Sequence, residues 1–143
     1  MRFTLLIATL GLCVSPAVAK DMCFDREFSD NTRYEVEVGW GEPNPLDPNP
    51  EVVEATVDSE ALLEALRVLD KGWRTPSTIW PTRAVQIRMY ERGLVKCQAI
   101  YTREEIYAQD EDLNGFLRRP LTVSDYFALD EALGLDKFRS LSR

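Results

Sequence analysis

The sequence predicts an α+β domain in which a small antiparallel sheet of about four to five strands packs with two helices under one disulfide. Three observations lead there. Arg33 to Trp40 and Ala84 to Tyr90 alternate apolar and polar residues with period two, as half-buried strands do. Two later segments repeat apolar residues at three- and four-residue spacing behind a capping residue, as amphipathic helices do. Two cysteines, Cys23 and Cys97, remain once an N-terminal leader is set aside.

The leader is read over residues 1–19. Arg2 gives a positive start, Phe3 to Val14 is mostly apolar, Pro16 breaks the run, and Ala17-Val18-Ala19 places small residues at −3 and −1 of a signal-peptidase site. The run falls short of the roughly 20 residues that span a bilayer. Cys13 has Leu12 and Leu10 before it rather than small residues, so it leaves with the leader instead of carrying lipid. The expectation is a cleaved signal peptide, a protein of the periplasm or extracellular space, no membrane span after cleavage, and a single domain over residues 20–143.

In strand one, Tyr34, Val36, Val38 and Trp40 share one side, with Arg33, Glu35 and Glu37 on the other. Residues 41–50 hold four prolines among asparagine and aspartate, a stiff surface loop that cannot continue a ladder. Val53, Ala55 and Val57 predict a second short strand. Asp58 or Ser59 caps a helix whose stripe is Leu62, Leu63, Leu66 and Leu69, with Gly72 as a left-handed stop. Val85, Ile87 and Met89 point inward from the next strand. Glu91-Arg92-Gly93 turns a hairpin into Leu94 to Tyr101, which carries Cys97.

Thr102 to Asp112 admits two readings. Thr102 and Glu105 fit a capping box, while Ile106 and Tyr107 continue the alternation from Ile100; the strand is preferred, turning at Gly115 so that Phe116 to Arg119 pairs back. Thr122 or Ser124 then caps a second helix with Tyr126, Phe127, Leu129 and Leu133 as its apolar set. Gly134 ends it, and Leu135 folds back on Leu129.

Composition removes whole classes of chemistry. The chain has no histidine, which excludes Ser-His-Asp and Cys-His nucleophiles, His-ligated zinc or copper, and a histidine pH switch. Residues 20–70 hold four basic residues against fourteen acidic ones, whereas residues 71–143 hold twelve against ten. That balance argues against nucleic acid; it permits a basic protein as partner, although a plain solvated acidic face is the commoner reason for such a charge. In an oxidising compartment Cys23 and Cys97 most simply form one disulfide.

Three constellations remain. Trp40, Trp73 and Trp80 flank loops, with Arg74 close by, and tryptophan and arginine dominate binding hot spots; they are the candidate binding residues, or else they close the ends of the core. Asp110, Asp112 and Asn114 before Gly115 match the first half of a calcium loop, but Leu121 stands where the bidentate carboxylate is needed, so any calcium site is weak. Glu104 with Glu105, or Asp110 with Asp112, are the pairs available to carboxylate chemistry on a glycan; neighbours on a strand face opposite ways. The leading expectation is a non-catalytic protein-binding module needing no cofactor, of the kind that inhibits, or gives immunity against, a basic enzyme acting on the envelope. The alternatives are a weak calcium-binding or structural envelope protein, and a carboxylate-based glycan hydrolase.

Overall fold

The structure, a computed structural model, describes residues 21–40, 51–53, 55–76, 81 and 83–136; the expected leader, the proline-rich loop 41–50 and Trp80 lie outside the described residues. The strands are β1 (Arg33–Trp40), β2 (Glu51–Val53), β3 (Ala84–Glu91), β4 (Leu94–Tyr101), β5 (Glu105–Gln109) and β6 (Phe116–Pro120). The helices are α1 (Ser59–Arg67) and α2 (Val123–Ala132), and a short 3-10 turn covers Cys23–Asp25. All strand pairs are antiparallel, in the order β2-β1-β3-β4-β5-β6. The α+β class therefore holds, with six strands instead of four to five.

The added strand comes from a turn that alternation hides. Thr102 does make the capping contact its spacing predicts, its Oγ1 accepting from Glu105 N at 3.2 Å. Thr102 N also donates to Glu105 O at 2.8 Å, which closes a tight reversal rather than a helix. The chain folds back, so β4 and β5 become neighbours, with Ile100 opposite Tyr107. At the other end of the sheet, β2 is shorter than expected. Ala55 and Val57 leave the ladder but still pack on the core, and Asp58 N donates to Ala132 O at 2.8 Å, which draws the chain across to α2.

One sheet face carries the core. Val36, Val85, Ile87, Met89, Cys97, Ala99, Tyr101, Ile106 and Ala108 meet Leu62, Leu66 and Leu69 from the α1 side and Leu129 and Leu133 from the α2 side. Both helix starts resolve to one of the two candidates. Asp58 Oδ1 accepts from Ala61 N at 3.0 Å, and Thr122 forms a reciprocal box with Asp125, at 3.1 and 2.9 Å. Gly134 follows α2 at φ 68°, where a Cβ would lie 3.3 Å from Thr56 O, and Leu135 beyond it is buried. Phe127 departs from its expected inward place and is 61% exposed, its ring edge-on to Tyr126.

Cys23 and Cys97 are joined, with Cα atoms 5.2 Å apart. The bridge fastens the N-terminal turn to β4 on the helix side of the sheet. Arg67, at the end of α1, clamps the same segment by donating to Phe24 O at 3.2 Å and Arg26 O at 2.8 Å. No helix among the described residues is long and apolar enough to cross a membrane.

Candidate functional site

Across the two helices the sequence places five acids, Glu60, Glu64, Asp125, Asp130 and Glu131, against one base, Arg67. Packing then sorts them. Asp130 is turned inward and buried, accepting from Tyr101 Oη at 2.7 Å. Burial holds its carboxyl above the ordinary aspartate range, against the opposing pull of the Tyr101 hydroxyl and the Arg103 charge. Asp125 is occupied by its capping box and by Arg119 at 3.8 Å. Arg67 is committed to the N-terminal carbonyls. Glu60, Glu64 and Glu131 are left on the exposed side, an acidic outer surface.

Between the helices runs a groove of about 430 Å³. It is lined by Ala61, Ala65 and Val68 from the α1 side and Ala128 and Ala132 from α2, together with Asp58, Glu64 and Glu131. Ala61 with Ala65, and Ala128 with Ala132, are i, i+4 neighbours on their helices, so small side chains face the groove from both sides. The contact between Asp58 N and Ala132 O ties the start of α1 to the end of α2 and so fixes one end of the groove. Val68, 60% exposed, stands at the other end of the α1 row. Among the described residues no lysine or arginine lines the groove. The arrangement can accept an apolar, cationic surface.

None of the described residues singled out from sequence as candidate site residues lines this groove. Trp73 is 4% exposed; its Nε1 donates to Leu69 O at 2.6 Å and its ring packs 5.9 Å from that of Phe24. Of its two readings Trp73 takes the second, a residue that closes the core, its indole having its partner inside. Arg74 is exposed, yet its backbone exchanges two hydrogen bonds with Arg118, 2.8 and 2.7 Å, extending the sheet beyond β6.

Trp40 is half-buried on the face opposite the one expected. The register slips between Val38 and Trp40 at Gly39, φ 84°, so Trp40 leaves the side of Val36 and packs with Ala84, Ile100, Tyr107 and Phe116. On that face Arg88 bridges Glu35 at 2.7 Å and Glu37 at 2.9 Å and donates to Gln86 at 2.6 Å. The bond from Arg88 keeps the Glu35 carboxyl below the ordinary glutamate range.

Asp110, Asp112 and Asn114 do share one turn, between β5 and β6. Asp110 Oδ1 accepts from Asn114 N at 2.9 Å, Asp110 N donates to Gly115 O at 3.0 Å, and Asp110 is buried while Asp112 and Asn114 are exposed. Among the described residues no group of three or more metal-ligating side chains converges. Glu105 accepts from Tyr107 Oη at 2.9 Å and pairs with Arg118 at 3.4 Å, while Glu104 is exposed on the preceding turn.

The groove escaped the sequence reading because its floor is alanine. The available signal was the i, i+4 spacing of Ala61 with Ala65 and of Ala128 with Ala132 beside glutamates. Comparison with known protein families, characterised proteins and solved structures found no match.

Proposed function

We propose that this chain is an exported, non-catalytic binding module that engages a basic protein through the outer face of its two helices. The observation that carries the reading is the interhelical groove, where Ala61, Ala65, Val68, Ala128 and Ala132 lie beside Asp58, Glu64 and Glu131, with no cation among the described residues of its lining. A basic surface approaching it finds complementary charge outside and apolar contact within, the combination that steers association and then holds it. The Cys23–Cys97 bridge supports an oxidising compartment, since such bonds persist chiefly outside the cytosol. An inhibitor of a basic envelope enzyme, or an immunity protein against one, is the concrete form this reading takes, and it needs no cofactor.

Affinity capture tests it. The exported protein, immobilised and exposed to an envelope extract, retains a basic protein that is released as ionic strength rises. Capture of no basic protein, or retention indifferent to salt, overturns the reading.

A further inference from the structure

Resting on that reading, we infer that the groove seats a cationic α-helix of the partner, lying along α1 and α2 as a third helix of the layer. The first argument is shape. From Asp58 to Val68 the α1 side of the lining covers ten residue steps, about 15 Å at helical rise, so three turns of helix match its length. Alanine at Ala61, Ala65, Ala128 and Ala132 lets a helix axis approach closely, near the short end of ordinary interhelical spacing.

The second argument concerns the backbone. Both walls are helices, whose main-chain donors and acceptors are paired within themselves. An extended peptide laid between them would lose water from its own N–H and C=O groups and find no ladder to join. A helix arrives with those groups already satisfied, and needs only side chains to bind.

Charge is the third argument. Acids enter the lining from both helices, Glu64 from α1 and Glu131 from α2, while Asp58 at the pinned end is engaged as the cap of α1. The matching helix therefore carries Lys or Arg on both flanks of an apolar stripe, an amphipathic cationic helix and not merely a basic patch.

The test uses synthetic peptides on the exported protein. One is an amphipathic lysine–leucine helix of about four turns. A second has the same composition with two central leucines replaced by proline, and a third replaces lysine by glutamate. Amide chemical shifts and a titration report the site and the dissociation constant. The lysine–leucine peptide is expected to shift the amides of Ala61, Ala65, Ala128 and Ala132. The proline and glutamate forms should bind at least tenfold more weakly.

Ala65→Trp fills the floor without changing charge, and Glu64→Gln with Glu131→Gln removes the rim charge at exposed positions where folding is not at stake. Each is expected to weaken the helix at least tenfold, while Asp112→Lys, on the β5–β6 turn outside the groove, leaves it unchanged. Equal binding of the proline peptide, or equal binding by both groove variants, overturns the inference. Failure of the broader reading is distinct: a basic protein captured equally by wild type and groove variants sinks the groove alone, whereas no basic protein captured sinks both.

Discussion

Asp130 and Glu35 are two carboxylates whose surroundings push them in opposite directions. Burial raises Asp130, so the folded state binds its proton more tightly than the unfolded chain does. Its contribution to stability is complete below the ordinary aspartate value and declines as pH rises from there through the raised folded value. Asp130→Asn keeps an oxygen for Tyr101 and removes the charge. The variant should therefore gain on the wild type as pH rises above the ordinary aspartate value in urea denaturation, and a difference that stays constant with pH would contradict the assignment. Tyr101→Phe takes away a donor to a buried carboxylate and should cost about 1–3 kcal/mol at neutral pH. Glu35 runs the other way. Held low by Arg88, it contributes above the ordinary glutamate value and loses that contribution as pH falls through its lowered folded value. Trp73 shows what residue type alone leaves open: a tryptophan beside a loop can anchor a partner or close the core, and here Leu69 O sits where the indole N–H can reach it from inside.

Elements were legible where a local rule decides them. Alternation located β1, β3 and β4, and the capping residues Asp58 and Thr122 located both helices. Each of these signals lies within a few residues of the structure it specifies. What stayed hidden depends on backbone angles or on distant partners. The Gly39 bulge turns Trp40 to the other face, which no side-chain pattern announces. The Thr102 turn splits β4 from β5 although the alternation runs straight through it. The disulfide was readable from composition alone, and it acts on the whole N-terminal element. It closes a separation of 74 residues, so replacing both Cys23 and Cys97 with alanine should lower stability by roughly 4 kcal/mol on the chain-entropy account. A urea midpoint that does not move would show that Arg67 and the buried Phe24 hold that segment without the bridge.

Over the whole molecule the two faces of the sheet have different tasks. One is sealed by the helices, and on the other Arg88 gathers Glu35 and Glu37 into a paired network. On the outer side of the helical layer Glu60, Glu64 and Glu131 stand exposed. The alanine groove was not legible, because it exists only once α1 and α2 lie side by side. The most direct measurement of the central claim is a crosslinking map of the captured partner, with a photoreactive residue placed at position 131 on the groove rim or at position 112 on the β5–β6 turn. The account predicts that the basic partner crosslinks from position 131 and not from position 112. Crosslinking from position 112 alone would place the interface elsewhere and contradict it.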